Sequence, residues 1–433
     1  MARLESVQLK PHRALIESSG VRWTPLPKKK AEMRLPMIFW NSGAPWREAN
    51  VWALESATTG EIDIRTVQSR ASALLAYANW LESTGTDWWE FPMHRAKRCL
   101  VRYRGELIRC RKAGRLAPST TSHRMQVAIQ FYRWLRDSGL LSISWPMWEE
   151  RVVGIHLKDP LGFERTISVK TTDLSIPNRS IPGTRLEDGL LPIRAVDRDA
   201  ALQFADRRAS EELFLMLTLG FFTGMRIGTI ADLKVQTLDN AVPNPAAPGF
   251  YQLSVGPATD PPVATKFGVT GQIPICETHL NRLRDYASSM RRLKREAKAS
   301  RLNKDLVFLT RYGNPYCQRG SHNSNAINVE MAAFRKISVA NGIGAMRDFH
   351  FHQSRCTFAT ELARLAIRLG GSLFAVSMVM EALLHKNEST ALDYVKFVEK
   401  SKIKEEVGNA FDREFLGLLR ARQENNNAQT ENP

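Results

Sequence analysis

Two side chains suited to phosphate chemistry stand three residues apart in the segment FHFHQSRCTFATEL. His352 can transfer a proton near neutral pH, and Arg355 can donate two parallel hydrogen bonds to the oxygens of one phosphate. On the first turn of a helix, residues three apart are neighbours. The pair therefore indicates phosphoryl-transfer chemistry, and the spacing of Phe358, Leu362 and Leu365 predicts a buried apolar stripe that holds it still.

Four other side chains fit the same chemistry. Arg226 follows Thr223–Gly224, where a helix is predicted to start and its free N–H groups favour an anion. Lys266 lies in the turn of a predicted β-hairpin, and His385 precedes Tyr394 by nine residues in LLHKNESTALDYVKF. Each has an ordinary structural explanation as well: an arginine paired with a carboxylate, a surface lysine, a half-buried core tyrosine. Individually these signals are weak.

A metal site is the rival explanation for the histidines. His350 and His352 would share one face of a strand, which allows a two-histidine site. Arg347, Arg355 and Arg364 nearby would repel a cation. The sequence also lacks a P-loop lysine motif and a G-x-G-x-x-G fingerprint, so ATP-driven and dinucleotide chemistry have no support. We expect neither a metal nor a cofactor.

The charge balance points to a polyanionic partner. The chain has 433 residues, with 61 Lys and Arg against 44 Asp and Glu, a net charge of +17 that suits nucleic acid or an anionic membrane surface. The longest apolar run, residues 212–222, falls short of the roughly 20 residues of a spanning helix. The first residues show no secretory signal, and the five cysteines are scattered, so we expect a cytoplasmic protein with reduced thiols.

Basic residues concentrate between positions 95 and 115, where nine lysines and arginines face one acid, Glu106. Such a run is often only a solvated helix face. The lack of interleaved acids favours contact with phosphate groups instead. The candidate DNA-binding residues are Arg95, Arg98, Arg102, Arg104, Arg111, Lys112 and Arg124.

The chain divides into two differently built halves, because all ten tryptophans lie between Trp23 and Trp148. Helical periodicity marks residues 66–83 and 121–139 in the first half. In the second half, strand-like runs at 249–256 and 271–276 lie among helices predicted at 196–222, 277–302, 324–340, 356–369 and 372–415. The expected organisation is an N-terminal extension (1–59), a helical DNA-binding domain (60–150), a linker (151–189), a catalytic domain (190–415) and a disordered tail (416–433).

Four motifs together resemble the tyrosine recombinase (phage integrase) family. TGMRIGTIADLK resembles its first arginine box, TKFGVTGQIPI its lysine hairpin, HQSRCTFAT its H-x-x-R box and LLHKNESTALDYV its closing histidine-to-tyrosine segment. The resemblance covers about residues 190–400, and more loosely 60–150. It implies a mainly α fold with a small β-sheet and hairpin in the catalytic domain, arranged as a two-domain, C-shaped clamp around DNA.

The sequence departs from the family pattern at three places near the motifs. Thr229 stands where an acid is common, Cys356 where a second histidine is common, and Leu384 where a glycine is usual. The stretch between Thr360 and His385 is also longer than usual. None of these departures removes a principal catalytic side chain.

The resemblance implies a mechanism without metal or ATP. Tyr394 would attack a DNA phosphodiester and form a 3′-phosphotyrosyl link, with Arg226 and Arg355 on the non-bridging oxygens. His385 would donate to one of those oxygens, and His352 is the candidate base for the phenol proton.

The resemblance also assigns the remaining role and the partners. Lys266 would protonate the leaving 5′-oxygen. The expected partner is double-stranded DNA with specific sites, bound by a homotetramer on two sites that is a monomer or weak oligomer when free. The function is then site-specific recombination for integration, excision or transposition of a mobile element. A type IB topoisomerase, a non-catalytic DNA-binding protein and a metal nuclease remain as alternatives.

Overall fold

The structure is a computed structural model, and it describes residues 1–10, 12–18, 20–25, 33–59, 62–158, 164–178, 186–317 and 325–401. The described residues form two compact units, one within residues 1–183 and the other within residues 184–401. The architecture is mainly helical with small antiparallel sheets, so the predicted fold class is confirmed.

The first unit is a helical core with strand pairs. Its helices are α1 (Arg47–Thr58), α2 (Ile64–Thr84), α3 (Cys99–Lys112) and α4 (Pro118–Asp137). Strand β1 (Arg3–Leu9) pairs with β4 (Met33–Phe39), β2 (His12–Glu17) with β3 (Gly20–Pro25), and β5 (Glu150–Lys158) with β6 (Glu164–Thr172), all antiparallel.

Local signals explain the bounds of the helices in this unit. Helix α2 begins after Asp63, whose carboxylate accepts a hydrogen bond from the backbone of Arg65, and ends at Gly85 with φ 57°. Helix α4 starts at Pro118, a residue suited to the first turn. The core between the helices is aromatic, and the hydroxyls of Tyr77 and Tyr132 lie 2.8 Å apart within it.

Two predictions about this unit need revision. The segment predicted as a linker contains the strands β5 and β6 rather than irregular chain. The stretch predicted only as an extension supplies β1, β4 and α1. The side-chain amide of Asn50 in α1 accepts a hydrogen bond from the backbone N–H of Ile38 in β4 and donates one to its carbonyl. Buried Trp46 and Ile38 join the extension to the core of the same unit.

The second unit packs helices around a three-stranded antiparallel sheet. Its helices are α5 (Ala195–Arg208), α6 (Glu211–Thr223), α7 (Ile227–Ile230), α8 (Val235–Asp239), α9 (Glu277–Ser288), α10 (Met290–Glu296), α11 (Asn325–Ala340) and α12 (His352–Leu383), followed by α13 (residues 388–401). The sheet has the order β7 (Val242–Pro243), β8 (Phe250–Val255) and β9 (Gly271–Cys276), so the predicted hairpin is confirmed.

Helix bounds differ from prediction where one residue interrupts the apolar period. The segment predicted as one helix over 277–302 breaks at Ser289, whose hydroxyl caps α10. The predicted helix 372–415 is interrupted after α12 by Leu384 in a left-handed conformation (φ 52°, ψ 49°). Within α12, Gly371 is non-helical and kinks the helix.

Helices α6 and α12 form the centre of the second unit. They approach so closely that a Cβ on Gly220 would lie 2.4 Å from the hydroxyl of Ser354. By length and composition alone α12 could cross a membrane, a test that core helices of soluble proteins also pass. Its buried residues pack in a cluster with α13.

Candidate active site

The turn between α6 and α7 supplies the first arginine of the site. Gly224 ends α6 in a left-handed conformation (φ 65°), and Arg226 is the N-cap residue of α7. The predicted helix start at Arg226 is therefore confirmed. Ile230 and Leu233 behind it are fully buried, which holds the turn against the core.

Helix α12 begins at His352 and carries Arg355 on its first turn. Arg355 is 3% exposed, and its Nη1 donates to the carbonyl of Gly224 (2.7 Å) while its Nη2 donates to the carbonyl of Leu383 (3.0 Å). These bonds connect three separated segments of the unit at one guanidinium. Arg355 is therefore fixed in position by the fold itself.

His385 follows the left-handed Leu384 and faces the same guanidinium. Its Nε2 lies 2.8 Å from Nη2 of Arg355. The left-handed backbone explains why a glycine is usual at position 384, and here the Leu384 side chain reaches β9, where a Cβ on Gly271 would lie 2.5 Å from it. This departure leaves His385 at the site.

A carboxylate that the motifs did not indicate lies at the centre of these groups. Glu187 is in a short 3₁₀ turn (Glu187–Gly189) before α5. Its two carboxylate oxygens lie close to four side chains: Arg226 Nη2 at 3.3 Å, His352 Nε2 at 3.0 Å, His385 Nε2 at 2.9 Å and Arg355 Nε at 3.4 Å. We call this arrangement the anion pocket.

The charges of the pocket stabilise ionised Glu187. Burial raises the pKa of this carboxyl, but the two histidines and two arginines around it hold that pKa well below its ordinary value. Burial and neighbouring Arg226 lower the pKa of Arg355 to about 10, so the guanidinium stays charged at neutral pH. Burial also lowers the pKa of His385, against the opposing effect of Glu187.

A carboxylate satisfies only part of the pocket. Within the described part of the chain, the buried Nε atoms of Arg226 and Arg355 and Nδ1 of His385 have no hydrogen-bond partner. In addition, Nε2 of His385 faces both a carboxylate, which accepts, and a guanidinium, which donates, so it cannot satisfy both. The pocket offers more donors than two carboxylate oxygens can use.

Tyr394 lies next to the pocket but is covered. It is 1% exposed on α13, and its ring stacks on that of His385 with the centroids 6.1 Å apart. Its hydroxyl lies 3.9 Å from Sγ of Cys356, and burial raises its pKa well above the ordinary value. The phenol is therefore protonated and shielded from solvent in this conformation.

Lys266 is exposed in the β8–β9 connection. Its Nζ lies 5.3 Å from the centroid of the Phe267 ring, while Lys386, directly after His385, donates to the Phe267 carbonyl at 3.0 Å. The hairpin connection is thus joined to the loop that carries His385. The structure does not bring the Lys266 ammonium into the anion pocket.

Several candidate DNA-binding arginines in the first unit have structural partners. Arg98 is 8% exposed and donates to three backbone carbonyls, those of Pro92, Met93 and Pro146, so it is unavailable for DNA. Three others hold the segment 173–177: Arg95 pairs with Asp173, Arg104 donates to Leu174 and Arg111 to Pro177.

The other three candidates have fewer protein partners. Arg102 lies over the ring of Trp80, Lys112 is exposed and Arg124 is partly exposed. Because neighbouring arginines look alike in sequence, only the fold separates the structural ones from the exposed ones.

Two further sequence expectations change. Leu365 is 46% exposed, so the stripe behind His352 and Arg355 consists of Phe358 and Leu362 together with buried alanines of α12. His350 and His352 do not share a strand, because α12 begins between them. In the residues that the structure describes there is no group of three or more potential metal ligands.

Glu187 is the functional candidate that the sequence motifs missed. It is 39 residues from Arg226 and 165 from His352, so no local spacing relates them. The available signal was chemical: several cationic side chains predicted at one place require an anion when DNA is absent.

No family model matches the sequence, and no curated protein matches it. Among solved structures, the Tn1549 transposon integrase in complex with transposon right-end DNA is similar, with 13% identity, a TM-score of 0.48, and coverage of 83% of this chain and 98% of that one. A lambda integrase dimer bound to a COC′ core site gives 13% identity and a TM-score of 0.46, covering 81% and 93%.

A lambda integrase tetramer bound to a Holliday junction is also similar, with 13% identity, a TM-score of 0.47, and coverage of 80% of this chain and 75% of that one. All three are integrases, the class that the sequence motifs resemble.

Proposed function

We propose that this protein is a tyrosine-type, site-specific DNA recombinase that breaks and rejoins strands through a 3′-phosphotyrosyl intermediate. The anion pocket carries the proposal. Two arginines and two histidines converge on one anion, with donors left over, and a tyrosine ring stacks on one of the histidines.

The pocket suits a phosphodiester in transfer. Negative charge grows on the non-bridging oxygens, and fixed donors aimed at them are a main source of rate. Arg355 is held by two backbone carbonyls and needs little reorganisation to donate. Arg226 and His352 are about one-fifth exposed, which leaves the pocket open on one side to a DNA strand.

The reaction exchanges one ester for another. The oxygen of Tyr394 forms a bond to phosphorus as the bond to the 5′-oxygen breaks, so no ATP is consumed. His352 would take the phenol proton, and Lys266 would give a proton to the leaving oxygen. Both Tyr394, which is buried, and Lys266, which points at Phe267, must move for this step.

The proposed partners follow from the same assignment. The protein would act on intracellular double-stranded DNA that carries specific sites, as a homotetramer on two sites during exchange. Phosphate contacts in the first unit are assigned to Arg102, Lys112 and Arg124, whereas Arg98 is excluded by its burial. Integration, excision or transposition of a mobile element is the expected role.

Covalent trapping tests the proposal directly. A set of nicked duplexes from the DNA that flanks the gene should yield a covalent protein–DNA adduct, because loss of the short nicked fragment prevents religation. Tyr394→Phe should abolish the adduct while DNA binding persists. Tyr312→Phe, a change to an exposed tyrosine of the same unit, should leave it intact.

Other outcomes separate the alternatives. An adduct that survives Tyr394→Phe would exclude the assignment of the nucleophile. Relaxation of any supercoiled plasmid would favour a topoisomerase, and loss of activity in EDTA would favour a metal nuclease. Binding without an adduct on any substrate would favour a non-catalytic DNA-binding protein.

A further inference from the structure

Glu187 lies where the proposed function requires a DNA phosphate. Arg226, Arg355 and His385, which would hold the scissile phosphate, and the proposed base His352 all contact this carboxylate at 2.9–3.4 Å. A carboxylate and a phosphate compete for the same donors, because both are oxyanions that accept from arginine and histidine. The two cannot occupy the pocket together without strong repulsion.

We propose that Glu187 is an internal competitor that closes the anion pocket in the absence of DNA and is displaced when a phosphate enters. This inference rests on the proposed function and adds a regulatory step to it. The pocket in the protein alone is self-occupied, so productive DNA must provide a phosphate that binds better than the carboxylate.

The unfilled donors give a phosphate that advantage. Nε of Arg226 is buried without a hydrogen-bond partner in the described structure, and buried Nε of Arg355 has only a 3.4 Å ion pair with Glu187 that is not a hydrogen bond. Leaving such donors unsatisfied is costly, and an oxyanion with more oxygens can reach more of them. Exchange of the carboxylate for a phosphate therefore relieves a defect in the pocket.

The turn that carries Glu187 also packs in the apolar cluster that contains the tyrosine. Leu186 is buried in the same apolar cluster as Tyr394, and Leu190 packs against that cluster. Backbone hydrogen bonds close the turn, from Leu186 to Leu190 and from Gly189 to Leu186. Displacement of Glu187 thus disturbs the turn that packs in the cluster with Tyr394, which links phosphate entry to access to the nucleophile.

The size of the effect follows from the occupancy of the pocket. An outside anion binds only the fraction of molecules whose pocket is empty, so its affinity falls in proportion to that fraction. If the carboxylate fills the pocket about nine-tenths of the time, its removal strengthens anion binding about tenfold.

The first measurement needs no DNA. Calorimetry with inorganic phosphate on the full chain should show at least roughly tenfold tighter binding to Glu187→Gln than to the wild type. Glu187→Ala should give the same direction, which guards against a folding defect peculiar to the amide. Adding Arg226→Ala to Glu187→Gln should abolish the gain, which places the bound phosphate in this pocket.

Asp188→Asn is the matched control, because it removes the same charge from the adjacent residue. Its phosphate affinity should stay within about twofold of the wild type. An equal gain in this control would show a general charge effect and overturn the inference. Unchanged or weaker phosphate binding in both Glu187 variants would overturn it too.

The second measurement uses DNA at concentrations below saturation. Glu187→Gln should form the Tyr394 adduct about tenfold faster than the wild type if the carboxylate competes with the DNA phosphate. A slower reaction would instead make Glu187 a positioning residue and contradict competition. Tighter phosphate binding with no adduct from wild type or variant would refute the recombinase assignment alone.

Discussion

Replacement of Gly224 by alanine should damage both the fold and the anion pocket. Gly224 has φ 65°, and a Cβ there would lie 2.5 Å from Leu383 and 2.5 Å from Phe358, both on α12. The left-handed backbone costs about 1–2 kcal/mol for a non-glycine residue. Forcing extra atoms into a packed core adds about 1–3 kcal/mol, so the expected loss is about 2–5 kcal/mol.

Gly342→Ala is the matched control for the backbone contribution. Gly342 lies in the same unit with φ 86°, and nothing lies within 4 Å of a Cβ placed on it. This variant should lose only about 1–2 kcal/mol. The difference between the two variants therefore measures the close approach of α12 to the turn that precedes Arg226.

Urea unfolding of the full chain can assign the effect to one unit. All ten tryptophans are in the first unit, so their fluorescence follows that unit, whereas circular dichroism follows both. At a slope of about 2–3 kcal/mol per molar urea, Gly224→Ala should lower the midpoint of the second unit by roughly 1 M or more. The tryptophan transition should not move.

The same substitution should slow chemistry more than binding. Arg355 donates to the carbonyls of Gly224 and Leu383, so a shift of α12 displaces its guanidinium from the pocket. We expect a fall of about 100-fold in the rate of adduct formation, comparable to loss of one fixed donor. Equal stability of Gly224→Ala and Gly342→Ala, or an unchanged adduct rate, would refute this reasoning.

Two further predictions concern buried charge in the second unit. Burial lowers the pKa of His279 to about 4 from 6.5, because the fold favours the neutral imidazole. The free energy of unfolding therefore has its full value above pH 6.5 and decreases as the pH falls through 4. His279→Gln should remove this pH dependence, a change of up to about 3 kcal/mol in urea titrations. Glu212 is fully buried against Arg291 and Arg295, so Glu212→Gln should cost about 3–5 kcal/mol, whereas Glu211→Gln, at an exposed neighbour, should change the urea midpoint little.

Local structure could be predicted from the sequence where an apolar periodicity or a single residue type determines it. The helical face of residues 66–83 and the strand runs on either side of Lys266 are strong local signals, and α2, β8 and β9 lie there. Glycine and serine set several bounds, as Gly85 does for α2 and Ser289 does for α10. Such signals depend on neighbours in sequence.

Prediction from the sequence failed where tertiary contacts determine the local structure. The strands β5 and β6 alternate apolar and polar residues only over a short stretch, at Val153, Ile155, Ile167 and Val169, and it is the fold that pairs these two short runs with each other. The break between α12 and α13 was not predicted, because the left-handed residue there is Leu384 and not a glycine, which favours this conformation. Leu365 follows the helical period and is nevertheless exposed, because small alanines form the buried face of α12.

In the candidate site, too, the residue types could be predicted from local motifs, whereas their contacts could not. Arg226, His352, Arg355 and His385 each lie in a short motif with its own spacing, so their types and order are readable from the chain. Their meeting at one anion is a property of the fold, and the anion itself, Glu187, comes from a distant segment. The burial of Arg98 could not be predicted either, because its sequence neighbours include similar arginines that are exposed.

The covered state of Tyr394 has a chemical consequence for a reaction without ATP. In the proposed reaction, the tyrosyl ester conserves bond energy only while water is kept away from it. A tyrosine hydroxyl exposed beside two arginines would also be free to attack any phosphate that reached it, so covering the hydroxyl limits unwanted reaction. Burial raises the pKa of Tyr394, and Glu187 adds to that shift while Arg355 opposes it. Exchange of the carboxylate for a DNA phosphate leaves a negative charge in place, so charge alone cannot activate the phenol. Under the proposed function, activation would instead require movement of the 186–190 turn and α13 that takes the hydroxyl away from Cys356.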